Sequence, residues 1–308
     1  AGKGLKALNI LTTKLKHFKM KPGTVCQLFD AFVGATLNYS CEVWGASKSK
    51  EIERIHLKFC KQLLYVKKST SNMAVYGELG RYPLFINRYT RMIKYWCKIL
   101  QSDNLIISIL YKELVALIGV KSGRNWALDI KTLLDNYGFS YVWTNPNAIN
   151  LNTFPTLFKQ QVLDVFLQSW NTTVHNASSL HLYKNFKLTC LYEKYLNVLP
   201  TKYRIALSRL RLASHNLKIE TGRYSQNRIE RQHRICTLCN KGEIEDEYHF
   251  MIICEAYQNL RNVYINPYYY TKPSVYKFME LMKTENSAKL TKLGKFTYEA
   301  FALRISML

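Results

Sequence analysis

The chain is short of acid. Only 21 of its 308 residues are Asp or Glu, against 44 Lys or Arg. A polymerase or two-metal nuclease centre needs clustered carboxylates to hold its magnesium ions. No two aspartates are adjacent, and none follows Asp246. Glu280, Glu285 and Glu299 are too widely spread for such a cluster. No Walker-type glycine loop for nucleotide phosphates is present. His17, His56, His175, His181 and His233 have no evident nucleophile or carboxylate partner, and read as surface or packing histidines. These absences argue against catalysis by this chain alone.

Long apolar runs are also missing, so no stretch is suited to span a bilayer. The first 20 residues form a lysine-rich amphipathic pattern rather than a signal peptide. No internal repeat and no low-complexity tract occurs. The Asn-x-Ser/Thr sequons at Asn38, Asn171 and Asn176 are expected by chance in an Asn-rich chain. The first residue is Ala1 rather than Met, as expected of a fragment or a processed piece.

What is present is positive charge and enough apolar matter for real cores, 48% of residues. The net charge is +23. It divides the chain into 1–100 at +13, 101–200 at +2 and 201–308 at +8. Basic charge interleaved with aromatics favours a polyanionic partner, RNA or DNA first. A membrane surface comes second, and a solubilising basic surface third.

Apolar spacing predicts a mainly α fold. Leu8, Leu11, Leu15 and Phe18 form a stripe flanked by Lys6, Lys14, Lys16 and Lys19. Pro22-Gly23 breaks that pattern, and a second helix follows over 24–35. Ser49 caps a helix with Ile52, Ile55, Phe59 and Leu63 on one side and Arg54, Lys58 and Lys61 on another. Pro83 fits the first turn of a helix reaching 100. Further helices are predicted over 104–118, 124–137, 156–175, 179–199, 255–264, 274–283 and 287–305. The segment 139–155, rich in Asn and Pro, reads as a linker.

From Thr201 a basic helix opens, with Arg204, Ser208, Arg211 and His215 at spacings that share a face. Nine Lys/Arg and two Asp/Glu lie between Thr201 and Ile235. Arg204, Arg209, Arg211, Arg223, Arg228, Arg231 and Arg234 are the candidate phosphate contacts of this region, since guanidinium forks onto phosphate oxygens. Tyr224, Tyr248 and Tyr257 are candidates to stack on unpaired bases, at roughly 1–3 kcal/mol each. The acidic run Glu243, Glu245, Asp246, Glu247 reads as the solvent side of a loop.

That loop belongs to the sharpest motif in the chain. Cys236, Cys239, His249 and Cys254 read C-x2-C-x9-H-x4-C. Three thiolates and an imidazole suit a closed tetrahedral structural zinc site with no open position for water. Asn240-Lys241-Gly242 allows the turn after the knuckle. The competing reading is a Cys-x-x-Cys redox pair, with Cys254 an ordinary buried thiol. Cys26, Cys41, Cys60, Cys97 and Cys190 lie in apolar surroundings and read as reduced core thiols. Free thiols favour a reducing, intracellular compartment, cytoplasm or nucleus.

Three segments together carry a family resemblance. They are Leu28-Phe29-Asp30-Ala31-Phe32-Val33 through Cys41-Glu42-Val43-Trp44-Gly45; Val75-Tyr76-Gly77-Glu78-Leu79-Gly80-Arg81-Tyr82-Pro83-Leu84; and the zinc stretch with its lead-in Ile219-Glu220-Thr221-Gly222-Arg223-Tyr224. The chain resembles the C-terminal part of a non-LTR, LINE-type retrotransposon reverse transcriptase, from the end of the palm through the thumb to the zinc knuckle. The likeness is weakest over 101–200. It implies a thumb-like basic helical region over 1–100, a helical connector over 101–200, and a region 201–308 holding a basic helix, the knuckle (236–254) and C-terminal helices. It implies that the basic helices of 1–70, with Lys14, Lys16, Lys19, Lys58 and Lys61, grip a template–primer duplex. It implies that 201–262 binds element RNA or target DNA. The family's fingers and palm, with their paired aspartates, are not in this sequence, so the expectation is nucleic-acid binding without polymerisation. Where the family often has Gly before Cys-Glu-Val-Trp-Gly, this chain has Ser40. A protein-interaction module, a functionless remnant of an element and a metal-dependent nuclease tail are the alternatives.

Overall fold

The computed structural model describes residues 1–15, 17–47, 49–120, 125–224 and 228–308. Among them the chain forms 19 α-helices and no strand. A single antiparallel bridge joins Ile235 and Ile244. The mainly α class expected from apolar spacing is the class observed. No described helix is long and apolar enough to cross a membrane.

The chain divides into two compact units, and neither is continuous. The first comprises 1–19, 26–56 and 82–169; the second comprises 20–25, 57–81 and 170–308.

In the first unit, the helix Phe85–Leu100 buries Ile86, Tyr89, Met92, Ile93, Trp96 and Cys97, a stripe at three- and four-residue spacing. Arg88 is buried on the same helix and meets Glu53 at 3.1 Å. Glu53 also accepts the Leu84 and Phe85 amides at 3.0 and 2.9 Å, a carboxylate at a helix N-terminus. Phe139, Phe154 and Phe158 form an aromatic cluster with ring centroids 5.2 to 6.2 Å apart. Trp96 stacks on Trp143 at 6.1 Å. The segment 139–155 is therefore packed structure and not a linker. It contains the helix Ser140–Thr144 and a 3-10 turn, Pro146–Ala148. Its Asn and Pro residues mark turns between buried side chains. The helix Leu105–Ala116 is capped by Asn104, whose side chain accepts two amides, but buries none of its residues. Leu105, Ile106 and Leu110 are well exposed.

Pro22 opens a helix, Pro22–Leu28, instead of ending one. The chain continues through a π turn, Phe29–Gly34, into Ala35–Leu37. Proline is well suited to a first helical turn, where its missing N–H has no intrahelical partner.

In the second unit the helix Asn72–Leu79 is capped by Ser71 and buries six residues in succession, Ala74 to Leu79. Gly80 ends it in the left-handed region, φ +55°. A Cβ there would stand 2.4 Å from the Tyr192 nitrogen, so only glycine fits. The chain over 187–194 lies against this point: the Glu193 N–H donates to the Glu78 carbonyl at 3.0 Å. The single helix predicted over 179–199 is broken into Ser178–Leu180, Tyr183–Phe186 and Tyr195–Val198 for this reason. Buried charges complete the core. Arg211 donates to both Glu78 oxygens at 3.0 to 3.2 Å and pairs with Glu193 at 3.0 Å, and Lys187 pairs with Glu193. Tyr195 donates its hydroxyl to Glu78 at 2.7 Å. Beside this network, the helix Thr201–Arg211 packs on Ser287–Met307. Gly294 permits the approach: a Cβ there would lie 2.9 Å from Leu199.

Candidate metal centre

The knuckle is built on two short devices of the second unit. The first is a turn held by the Ile235–Ile244 bridge, where the Cys236 N–H donates to the Glu243 carbonyl and the Glu245 N–H to the Arg234 carbonyl, both at 2.9 Å. Gly242 takes the left-handed conformation, φ +67°, that closes the turn. The second is a π turn, His249–Ile253, in which the Cys254 N–H donates to the His249 carbonyl at 2.8 Å. In a regular α-helix residues five apart point about 140° apart. The wider turn brings His249 and Cys254 to one side. Asp246 fixes its start by accepting the His249 N–H at 2.9 Å.

Cys236, Cys239, His249 and Cys254 converge, with ligand atoms all within 4.8 Å of one another. Cys236 Sγ and Cys254 Sγ are 3.8 Å apart, and Cys239 Sγ lies 3.4 Å from His249 Nε2. Ideal tetrahedral zinc bonds imply about 3.8 Å between sulfurs and about 3.6 Å between sulfur and nitrogen. The four side chains can therefore hold a metal ion with little movement. Cys236, His249 and Cys254 are buried and Cys239 half-buried, which suits a closed site. His249 Nδ1 faces the Glu243 carboxylate at 3.0 Å. That contact fixes the ring and leaves Nε2 for the metal.

The electrostatics of the group favour a deprotonated Cys236 sulfur. The hydrogen bond from Cys254, opposed by burial and aided by His249, lowers the Cys236 thiol to about 3. The shared proton and burial push Cys254 up. His249 is raised, because Cys236 and Glu243 outweigh burial. The core thiols contrast with Cys236: burial raises Cys97 to about 11 and Cys190 to about 12. Cys26, Cys41 and Cys60 are also buried and form no disulfide. An imidazole and a third thiol converging on Cys-x-x-Cys exceed what a redox pair requires.

A rigid shell surrounds the knuckle. Phe250 is fully buried and packs on Tyr257 at 4.8 Å and Phe301 at 4.7 Å. Arg261, also buried, donates to the Met251 carbonyl at 3.2 Å and to the Cys254 carbonyl. Arg304 grips Glu245 through two bonds of 2.9 and 2.8 Å, and Glu245 accepts the Lys218 N–H at 2.7 Å. The acidic run is thus not a solvated edge. Glu245 is buried, Asp246 caps the π turn, Glu247 meets His215 at 2.9 Å, and only Glu243 is exposed. Each carboxylate has its own structural partner, which local charge density did not reveal.

The basic candidates divide in the same way. Lys14, Lys19, Lys58, Arg209, Arg228 and Arg231 are exposed. Arg209 donates to the Tyr65 carbonyl at 2.9 Å, and Arg231 lies 3.7 Å from Asp246. Lys61, Arg204 and Arg223 are half-buried; Lys61 donates to the Lys68 carbonyl and Arg223 pairs with Glu220 at 2.8 Å. Arg211 and Arg234 are corrections. Arg211 lies in the charge network, and Arg234 donates to the Ile219 and Ile229 carbonyls. Both are buried and offer nothing to an external phosphate. The face shared by Ser208, Arg211 and His215 points inward, because a buried acid was waiting for the arginine. Lys16 lies outside the described residues. Tyr257 is buried, and Tyr248 packs edge-on against Phe278 at 5.9 Å, so Tyr224 alone of the three tyrosines is exposed.

Among the described residues, no set of three or more His, Cys, Asp or Glu besides the knuckle converges. Glu280 and Glu299 instead accept tyrosine hydroxyls, from Tyr268 and Tyr269 and from Tyr264. Comparison of the chain with protein-family models, with curated proteins and with solved structures gives no match.

Proposed function

We propose that the Cys3His group holds a structural zinc ion and that the chain is a nucleic-acid-binding portion of a LINE-type retrotransposon reverse transcriptase. Its partner is RNA, DNA or their hybrid, and the chain does not polymerise by itself. The observation that carries the reading is the tetrahedral spacing of Cys236, Cys239, His249 and Cys254, with exposed Tyr224, Arg228 and Arg231 in the segment leading into it.

Two backbone details support the resemblance. Ser40 has φ +49°, the left-handed region that favours glycine, and it occupies the position where the family often has Gly. Gly80 in the second quoted segment cannot carry a side chain, and Glu78 beside it anchors Arg211.

The test is metal content followed by binding. The purified chain should contain one zinc per molecule and bind structured RNA, single-stranded DNA or an RNA–DNA hybrid with steep salt dependence. Replacing Arg209, Arg228 and Arg231 by Ala should weaken that binding. With zinc intact, failure to bind any of the three overturns the nucleic-acid reading. A protein partner then becomes the question, with the exposed Leu105, Ile106 and Leu110 as the first surface to examine.

A further inference from the structure

Three lysines meet in one cleft of the first unit. The cleft has a volume of about 270 Å³, and Lys94, Lys98 and Lys159 line it with Thr90, Gln101, Asn152 and Thr156. Lys94 and Lys98 are one turn apart on the helix Phe85–Leu100. Lys159 comes from the start of Phe154–Asn176, so the positive end of that helix dipole faces the same region. All three lysines are exposed, and no carboxylate lines the cleft.

The absence of acid sets the cleft apart from the arginines of the same helix, which are paired. On the same helix Arg88 is paired with Glu53, and Arg91 with Glu42. Lys131 lies 3.6 Å from Asp135. None of the three cleft lysines forms an ion pair with a described residue. Three ammonium groups around one hollow give it a positive potential that favours an anion. Thr90, Gln101, Asn152 and Thr156 add hydroxyl and amide groups that can donate to phosphate oxygens. Leu151, Pro155 and the buried Cys97 complete the lining and no aromatic ring is present, so nothing there can stack on a base.

We propose that this cleft binds the phosphodiester backbone of a single nucleic-acid strand, without reading its sequence. Its lysines, Asn152 and Thr156 are exposed, so the cleft is open to solvent, which favours phosphates of a passing strand over an enclosed ligand. The inference rests on the nucleic-acid reading above and adds a contact surface in which Lys159, from the near-neutral 101–200, joins Lys94 and Lys98.

The test is anisotropy of the full, zinc-loaded chain with single-stranded RNA of two unrelated sequences, from about 50 to 200 mM salt. Lys94→Gln, Lys98→Gln and Lys159→Gln are combined in one variant. The salt slope should fall by about 2, which is three contacts at about 0.7 each, and both sequences should be affected alike. Lys→Arg at the three positions should restore the slope. An unchanged slope in the Gln variant, while replacing Arg209, Arg228 and Arg231 by Ala weakens binding, overturns the cleft and leaves the proposed function standing. No RNA binding by the parent chain overturns both. Inorganic phosphate raising the thermal midpoint of the parent but not of the Gln variant, with RNA binding equal in the two, assigns the cleft to free phosphate and overturns the strand proposal.

Discussion

Both units bury aromatic rings, but the second adds a network of buried ions. Around Phe139, Phe154, Phe158, Trp96 and Trp143 the first unit buries hydrocarbon, with Glu53–Arg88 as its inward ion pair. The second buries Glu78, Arg211, Lys187, Glu245, Arg304 and Arg261, and adds a Cys3His group. Hydrocarbon burial is indifferent to protons and chelators. Buried ions depend on both, and their partners matter more than their number: removing one side of such a pair strands the other. The units should therefore fail under different conditions. Four of the five tryptophans, Trp44, Trp96, Trp126 and Trp143, lie in the first unit and only Trp170 in the second. Tryptophan fluorescence mainly follows the first, and a Trp170-only variant follows the second.

The largest separation should come from the metal. Structural zinc contributes an apparent ~10–16 kcal/mol of binding in small zinc peptides near neutral pH. Strong chelation, or Cys239→Ser, should release zinc and lose hydrogen-exchange protection over 236–254, while the tryptophan signal of the first unit persists. Full zinc occupancy in Cys239→Ser would refute the ligand set. Glu243→Gln should weaken zinc affinity about 10- to 100-fold without abolishing it, the usual effect of losing a carboxylate that orients a histidine ligand.

Next in size is the charge network. Glu78→Ala leaves Arg211 without its main partner in the core and should cost about 3–5 kcal/mol in urea unfolding followed through the Trp170 probe. Burial opposes ionisation of Glu193, but Arg211 and Lys187 outweigh it and hold the carboxyl below its ordinary 4.5. Glu193 thus contributes stability above pH 4.5 that is lost as pH falls through its lower folded value. Glu53 in the first unit has the opposite sign. Burial outweighs Arg88 and raises its carboxyl above 4.5, so stability is gained as pH falls through the raised value toward 4.5. Glu193→Gln should flatten the second unit's decline below pH 4.5. Glu53→Gln should remove the first unit's gain above it. Matching pH profiles for these variants would erase the electrostatic contrast between the units.

What the sequence disclosed follows the same division. Repeating apolar residues exposed most helices, because a stripe at helical spacing is a local signal. Cys-x2-Cys with His249 and Cys254 was legible because metal ligands leave a fixed spacing. Partners were not. Nothing near Arg211 in sequence announces Glu78, 133 residues away, and nothing near Glu245 announces Arg304, 59 residues away. A charged residue looks solvent-bound until its partner is found, which is why Arg211, Arg234 and Glu245 were read on the outside. The interleaving of the two units was hidden for the same reason: contacts between distant segments leave no periodicity.

The smallest expected effects make the sharpest test of that lesson. Ile130 is fully buried in the first unit, and Ile130→Val should cost about 0.5–1.5 kcal/mol, with the same shift at pH 4 and pH 7. Arg228→Ala and Arg231→Ala should change stability by less than about 0.5 kcal/mol, since both side chains are exposed and Arg231's contact with Asp246 is 3.7 Å long. Arg211→Ala should cost several times more, because it strands Glu78 and Glu193 together. The three arginines lie within 21 positions of each other and look alike in sequence. Equal stability losses for all three would mean that burial does not separate structural from surface arginines here. A large loss for Arg211 alone, with RNA binding weakened only by the other two, would assign each arginine to the role its surroundings dictate.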